Sequence, residues 1–199
     1  MDIDGRHSSV LTRNQAARRE RVIRAAMQLA SEGGYDVVQM RDVSTRAEVA
    51  LGTIYRYFPS KDALLLAVMI EWLGGLEQRV MRDPPPASAG TVDRIMDVLG
   101  RALRSMDREP KLTAAVIAAM TAGDPAGVAA IGEVTGTMAR IMRSALPEDI
   151  DPAVEASAAK VLGHVWWSAT IAWANGMGDI DWVAAELREA AELIAARFR

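Results

Sequence analysis

Apolar residues recur every three or four positions along almost the whole chain. Val22, Ala26 and Leu29 follow this spacing near the amino terminus, and Leu187 and Ile194 follow it near the carboxyl terminus. This period places apolar side chains on one face of an α-helix, whereas a half-buried strand would alternate apolar and polar residues. The chain contains no alternating segment and no internal repeat. The sequence therefore predicts an all-α fold of about nine helices.

Prolines and capping residues divide the helical pattern into segments. Pro59 ends a short helix, and Ser60 stands where a long following helix needs an N-cap. The segment DPPPASAG, residues 83–90, is the best candidate linker. The Asp-Pro pairs at 124–125 and 151–152 each predict an N-cap followed by proline at the first helical position.

Positive charge is concentrated near the amino terminus. The chain has 23 Lys and Arg against 26 Asp and Glu, but residues 1–62 hold ten basic residues against eight acidic ones. Six arginines and one acid lie between Arg6 and Arg24. This pattern favours a localised contact with a polyanion. A solvated arginine-rich helix face explains the charge equally well.

Several classes of protein are disfavoured by composition. There are no cysteines, so disulfides and thiolate chemistry are excluded, and the first ten residues do not form a signal peptide. The apolar segment 161–174 is short for a membrane span. His164 lies alone on an apolar helix, which favours a core residue over a catalytic base. We therefore expect a cytoplasmic protein without membrane contact, metal, cofactor or catalytic residues.

The segment LGTIYRYFPSK, residues 51–61, carries unusually dense polar and aromatic surface. A short helix over 40–47, a turn and a second short helix over 51–58 form a helix-turn-helix, whose second helix enters the DNA major groove. A short core helix would explain Ile54 and Phe58. It would not explain the polar-tipped residues between them.

Residues 21–65, RVIRAAMQLASEGGYDVVQMRDVSTRAEVALGTIYRYFPSKDALL, resemble the DNA-binding domain of the TetR family of bacterial transcriptional regulators. The resemblance implies a homodimer that binds double-stranded DNA, with one helix-turn-helix of each subunit in adjacent major grooves of a palindromic operator. It implies a helix-turn-helix domain with a basic arm over residues 1–60. Residues 61–199 would then form a larger helical domain for ligand binding and dimerisation.

The same resemblance implies which residues contact DNA. Arg41 would meet a phosphate or a guanine edge, Tyr55 would grip the backbone and Lys61 would meet a phosphate. The full set is Gln39, Met40, Arg41, Leu51, Gly52, Thr53, Tyr55, Arg56, Tyr57 and Lys61. Two positions depart from the family pattern, because Gln39 replaces a threonine cap and Glu48 replaces the turn glycine. A left-handed Glu48 would cost about 1–2 kcal/mol.

The carboxy-terminal part is rich in methionine and tryptophan. Methionine adapts to irregular space, so an apolar cavity between helices is expected, although ordinary core packing explains any single methionine better. The predicted cavity is lined by Leu103, Met106, Val116, Met120, Met138, Met142, Trp166 and Trp173. The segments REPKLT and VWWSATIAWA, with the helix-turn-helix, are also similar to an actinobacterial subgroup of cholesterol-catabolism repressors. That resemblance implies a steroid or acyl coenzyme A effector.

The last two helices are expected to pair with those of a second subunit. Trp166 and Trp167 point about 100° apart on a helix, so one can face the cavity and the other a partner. The predicted interface contains Ala158, Ala159, Trp167, Ala172, Leu187 and Ile194.

The sequence as a whole predicts a transcriptional repressor that a large apolar molecule releases from DNA. Two alternatives stay open. One is a helical protein that sequesters an apolar metabolite without sequence-specific DNA binding, and the other is a steroid- or acyl-processing enzyme.

Overall fold

The computed structural model describes residues 13–198 except Asp124 and Glu148, with the side chains of 125–129 and 198 also left aside. The described residues form nine α-helices and no strand, which confirms the all-α prediction. In chain order the helices are α1 Arg13–Gly33, α2 Met40–Ala47, α3 Leu51–Tyr57, α4 Lys61–Arg82, α5 Thr91–Arg108, α6 Pro110–Thr121, α7 Pro125–Arg143, α8 Pro152–Ala174 and α9 Ile180–Ala195, followed by a 3-10 turn Ala196–Phe198.

Side-chain caps begin three of these helices. The Ser60 hydroxyl accepts a hydrogen bond from the Ala63 amide at 3.0 Å. The Asp151 carboxylate accepts from the amides of Ala153 and Val154 at 2.7 and 3.3 Å. Both predicted caps are confirmed. Asp179 also caps α9, whereas the predicted cap Asp124 lies outside the described residues.

The predicted linker 83–90 is a connecting loop between α4 and α5 rather than a break between domains. Arg101 of α5 donates a hydrogen bond to the Asp83 carbonyl at 2.7 Å, and Pro85 is buried. Both flanking helices contribute to the same hydrophobic core. The apolar faces of α4 and α5 bury together, so the proline-rich sequence turns the chain within one packed unit.

Two hydrophobic cores organise the molecule, and α4 runs through both. The amino-terminal core joins α1, α2 and α3 to the first part of α4, including Leu64 and Val68. The carboxy-terminal core joins Leu73 and Leu76 of α4 to α5, α7, α8 and α9. With 22 residues, α4 is about 33 Å long. It is therefore a continuous connection between the two cores.

Helix α6 belongs to the carboxy-terminal part of the sequence but packs into the amino-terminal core. Leu112, Ala115, Val116 and Ala119 of α6 are buried in that core. Lys111 donates a hydrogen bond to the Glu32 carbonyl at the end of α1, at 3.0 Å. The proposed division at residue 60 does not anticipate this contact, because it depends on residues 79 positions apart.

Candidate nucleic-acid interface and ligand cavity

A left-handed residue shapes the turn between α2 and α3. Glu48 has φ 52° and ψ 45°, so it is left-handed at the position where the family pattern has a turn glycine, and its amide hydrogen-bonds to the carbonyls of Ser44 and Thr45. The Ser44 hydroxyl donates to the Val49 carbonyl at 2.7 Å. These local bonds offset the cost of the left-handed conformation, which is about 1–2 kcal/mol for a residue with a Cβ.

The predicted DNA-contacting residues fall into an exposed set and a partly buried set. Tyr55 is 48% exposed. The other exposed members are Gln39, Arg41, Gly52 and Arg56, and Leu51 and Thr53 are half-buried. The start of α2 also lacks a side-chain cap, as expected for Gln39, whose amide instead donates to the Asp36 carbonyl at 2.8 Å. The exposed set presents hydrogen-bonding groups suited to phosphates and base edges.

Two of the predicted DNA contacts face the protein interior instead. Met40 is 8% exposed and lies in the amino-terminal core, because Val43 and Ala47 continue its helical face. The Tyr57 hydroxyl is buried without a hydrogen-bond partner among the described residues. Its ring follows buried Ile54 by one helical turn and packs against the same core. Burial therefore does not support direct DNA contact by Met40 or by the Tyr57 hydroxyl, and contact of these groups with DNA stays a prediction.

Lys61 is held by a clasp formed with Tyr35 and Asp62. The Lys61 ammonium donates to the Tyr35 carbonyl at 3.2 Å and lies 3.5 Å from the centroid of the Tyr35 ring. The Tyr35 hydroxyl donates to the Asp62 carboxylate at 2.6 Å, and that bond, with burial, raises the pKa of Tyr35 to about 12. This Tyr35 clasp fixes the loop before α2 to the start of α4. Sequence analysis did not find it, because its bonds join residues 26 and 27 positions apart.

Arginines of the first two helices form hydrogen bonds that stabilise the helix-turn-helix. Arg21 donates to the Ala47 carbonyl at 3.2 Å, and Arg46 donates to Glu32 at 2.6 Å. The Arg46 hydrogen bond lowers the pKa of Glu32. Residues 1–12 of the predicted basic arm lie outside the described residues. Part of the basic charge in the first module therefore supports the fold.

A cavity of about 790 Å³ lies between helices α4 to α8. Six of the eight predicted lining residues surround it, namely Met106, Val116, Met120, Met138, Met142 and Trp166. Val68, Met69, Trp72 and Leu73 of α4 also contribute to its wall. The volume is within the range of about 300–1,000 Å³ that is typical of small-molecule sites.

Hydroxyl groups in the wall are turned toward the backbone. Each of four threonines donates to the carbonyl four residues earlier, at 2.8 to 3.1 Å: Thr113, Thr121, Thr135 and Thr170. Such back-bonding satisfies the hydroxyl, so these threonines add little polarity to the cavity. Ser105 accepts a hydrogen bond from the Trp72 indole at 3.1 Å. The wall is accordingly suited to an apolar ligand.

Three ionisable residues line the cavity, and all three are exposed. They are Glu109 at the corner between α5 and α6, and Lys160 and His164 one turn apart on α8. The expectation that His164 is a core residue is wrong, because its side of α8 is open to solvent. The charged groups therefore lie at the rim of the cavity.

Two predicted lining residues lie outside the cavity wall. Leu103 is 4% exposed and is buried in the carboxy-terminal core with Val183 and Leu187 of α9. Trp173 packs against that core, whereas the α8 residues that line the cavity end at Thr170. Both residues are corrected to core positions.

The predicted dimer residues do not form one surface. Ala158 and Leu187 are 4% and 0% exposed within a single chain, so their side chains cannot contact a partner. Trp167 and Ala159 line the cavity, and Ala172 and Ile194 are half-buried. Helical spacing gives the angle between Trp166 and Trp167 but not which face of α8 is covered. Exposed apolar side chains on α8 and α9 are instead Val161, Trp182 and Leu193.

The described part of the chain holds neither a cluster of metal ligands nor a membrane-crossing helix. Within residues 13–198, apart from 124 and 148, no three His, Asp or Glu residues are grouped to hold a metal ion. No helix among the described residues combines the length and apolar character that a membrane crossing requires.

Comparison with known proteins agrees with this geometry over most of the chain. Residues 22–68 match the model of bacterial regulatory proteins of the tetR family, and residues 89–194 match a tetracyclin repressor-like carboxy-terminal domain. The HTH-type transcriptional repressor KstR of Rhodococcus jostii (strain RHA1) is 34% identical over 180 residues, which cover 90% of this chain and 84% of that protein.

Solved structures share the same arrangement of helices. A TetR transcriptional regulator from Rhodococcus sp. RHA1 has a TM-score of 0.81 and 31% identity, covering 91% of this chain and 97% of that one. Thermus thermophilus FadR, a transcriptional repressor solved in complex with lauroyl-CoA, has a TM-score of 0.69 and 24% identity, covering 88% and 92% of the two chains. The latter likeness concerns the fold alone. This chain belongs to the TetR family and is a DNA-binding transcriptional regulator.

Proposed function

We propose that this protein is a repressor that binds a palindromic operator as a homodimer and is released when a large apolar effector fills the cavity. The observation that carries the proposal is the position of α6. Leu112 and Val116 belong to the amino-terminal core and also line the cavity. A ligand in the cavity therefore touches side chains that pack against the DNA-binding module.

Two routes connect the cavity to the helix-turn-helix. Through α6, Lys111 is bonded to the end of α1. Through α4, Val68 lines the cavity while Lys61, two helical turns earlier, forms the Tyr35 clasp. A shift of either helix would change the distance between the two recognition helices, which must be about 34–36 Å for adjacent major grooves.

The size of the required preference favours an apolar effector. Moving a two-state equilibrium from almost fully bound to almost fully released takes about 5.5 kcal/mol of differential affinity. At about 25 cal/mol per Å² of apolar surface, this corresponds to roughly 220 Å² more burial in the released state. A steroid or long acyl chain can supply that area.

The effector class is proposed to be a steroid or an acyl coenzyme A thioester. The cavity wall is mostly apolar, with Lys160 and His164 at the rim where a polar end could remain in contact with water. One structural relative carries lauroyl-CoA, and the KstR relative gives a reason to include steroids.

Dimerisation, location and the absence of catalysis follow from the same proposal. A palindromic site requires two subunits related by a two-fold axis. A regulator of bacterial transcription works on the chromosome, so we assign it to the cytoplasm. The wall hydroxyls are bonded to backbone carbonyls, and the relatives are regulators, so we assign no enzymatic activity.

Selection of bound fragments from random-sequence duplex DNA tests the DNA-binding part of the proposal. We expect enrichment of a palindrome whose half-sites are one helical turn apart. Binding of apolar ligands without any enriched DNA sequence would instead support a protein that sequesters a metabolite. Turnover of a bound steroid or thioester would support an enzyme.

A further inference from the structure

We propose that a second site, in the groove between α4 and α5, binds the diphosphate group of a small molecule. The groove has a volume of about 350 Å³ and is lined by Arg79, Arg82, Asp83, Arg101, Arg104 and Arg108. We call it the arginine groove. The site is separate from the apolar cavity and is additional to the proposed function.

Most of the positive charge in the groove has no partner within the described chain. Arg101 is paired with Asp97 at 2.7 Å and Asp83 at 3.4 Å. Among the described residues, the side chains of Arg79, Arg82, Arg104 and Arg108 form no hydrogen bond or ion pair. Five guanidinium groups therefore line a groove to which Asp83 contributes the one carboxylate of the lining.

The surroundings make this concentration of charge unusual. Residues 63–199 contain thirteen Lys and Arg against eighteen Asp and Glu, and five of the thirteen line the groove. Like charges brought together destabilise a fold unless an anion compensates them. A cluster of like charges that costs stability, within a part of the chain of opposite net charge, is typical of a functional site.

Helix-end electrostatics explain only part of the cluster. Arg79, Arg82 and Arg108 lie in the last turns of α4 and α5, where cations interact favourably with the helix dipole. Arg101 and Arg104 lie further inside α5 and receive no such benefit. The spacing 101, 104 and 108 aligns three arginines along one face of α5.

The chemistry of guanidinium groups selects the ligand class. Their planar N–H forks form paired hydrogen bonds with phosphate oxygens, and several forks around a small groove match the several oxygens of a diphosphate. None of the groove-lining residues is aromatic, so the site offers no platform for stacking a base. Recognition would therefore act on the phosphates themselves.

The α4 side of the groove lies far from the DNA-binding end of the chain. Arg79 lies 18 residues after Lys61 on the same helix, which places it about 27 Å along the axis from the DNA-binding end. The groove does adjoin the helices of the apolar cavity, because Arg104 precedes Ser105 and Arg79 lies two turns beyond Trp72. The phosphates can come from a free nucleotide or from the head of a coenzyme A thioester.

Calorimetric titration of inorganic pyrophosphate into the full-length protein, without DNA or apolar ligand, tests the proposal. We expect saturable binding that the double variant Arg104→Ala/Arg108→Ala weakens about tenfold or more, because it removes two guanidinium groups whose charge-assisted hydrogen bonds to phosphate are stronger than neutral ones. The matched control is Arg188→Ala/Arg197→Ala, which removes the same charge from exposed positions on and just after α9. It should leave the affinity unchanged. Arg104→Lys keeps the charge and should give intermediate binding. This variant also tests the proposal if the double variant does not fold.

Absence of saturable pyrophosphate binding, or an equal loss in both double variants, would overturn the proposal. So would a finding that the groove variant weakens binding of duplex DNA alone. Parallel titrations with adenosine diphosphate, coenzyme A and lauroyl-CoA identify the source of the phosphates. Tighter binding of adenosine diphosphate than of coenzyme A indicates a free nucleotide, and tighter binding of lauroyl-CoA than of coenzyme A indicates a thioester that reaches both sites. The pyrophosphate titrations contain no DNA, so their outcome is independent of whether the repressor proposal holds.

Discussion

Lys111 at the start of α6 donates a hydrogen bond to the backbone carbonyl of Glu32 at the end of α1, with 3.0 Å between nitrogen and oxygen. This bond joins a helix that lines the ligand cavity to the helix that supports the DNA-binding module. It therefore connects the ligand-binding part of the chain to the DNA-binding module through a side-chain hydrogen bond.

Replacing Lys111 with methionine removes the bond and keeps the length of the side chain. We expect operator affinity to stay within a few-fold, because Lys111 does not face DNA, while the effector concentration for half-release rises. The loss of one hydrogen bond should also lower the free energy of unfolding by about 0.5–1.5 kcal/mol. Fluorescence anisotropy of labelled operator measures the release. Arg188→Met is the control, and identical release curves for Lys111→Met and the unaltered protein would contradict the coupling role.

The Tyr35 clasp predicts a stability change at high pH. Folding raises the pKa of Tyr35 to about 12 from an ordinary value of 10.0, so the folded state favours the neutral phenol. The clasp therefore contributes its full stability below about pH 10 and loses it as the pH rises toward 12. The difference in unfolding free energy between the unaltered protein and Tyr35→Phe should be constant at neutral pH and shrink above pH 10. A difference that grows with pH would contradict this assignment.

Loss of the hydroxyl should affect DNA binding and stability differently at the two tyrosines of α3. Tyr55 is 48% exposed, so Tyr55→Phe removes a group available to phosphate and should weaken binding to all duplex sequences similarly. The Tyr57 hydroxyl is buried and unpaired among the described residues, so Tyr57→Phe should leave DNA affinity unchanged and raise stability by about 1 kcal/mol. Binding isotherms and denaturant unfolding measure the two effects. Equal losses of DNA affinity would show that Tyr57 also contacts DNA.

Burial of the predicted interface residues moves the expected dimer contact to the outer faces of α8 and α9. Leu193 of α9 is 71% exposed and is the most exposed of the large apolar side chains on these two helices. Leu193→Glu should therefore convert the dimer to monomer at micromolar concentration, as light scattering would detect. Met81→Glu, at an exposed methionine of α4, is the matched control. A dimer that survives Leu193→Glu would place the interface elsewhere.

Local features of the fold could be predicted from the sequence, and contacts between distant residues could not. The caps at Ser60 and Asp151 and the left-handed Glu48 depend on a few neighbouring residues, and the structure contains all three. Helical spacing alone predicts the inward face of Met40, whereas the family resemblance implies a DNA contact for the same residue. The Lys111 bond could not be predicted, because no local pattern relates residues 79 positions apart.

The cavity shows the same distinction. Methionine content predicted apolar space between the carboxy-terminal helices, and six of the eight named residues surround it. Periodicity alone could not separate Leu103, which lies in the carboxy-terminal core outside the cavity wall, from Met106, which lines the cavity, because both lie on the buried side of α5. The arginine groove could not be predicted, because its residues come from two helices joined by a loop. Each helix alone has the pattern of a solvated basic face.

A ligand in the cavity is expected to release the protein from DNA. The most direct measurement is a titration of lauroyl-CoA, and of a steroid carboxylic acid, into the complex of the protein with its selected operator, followed by anisotropy. A parallel titration of Met138→Trp, which fills the cavity without altering the DNA-binding face, provides the control. We expect at least one ligand to release the unaltered protein and to fail with the variant, which should still bind DNA. If ligands that demonstrably enter the cavity leave the operator complex intact, or release the variant equally well, the proposed release by a ligand in the cavity is contradicted.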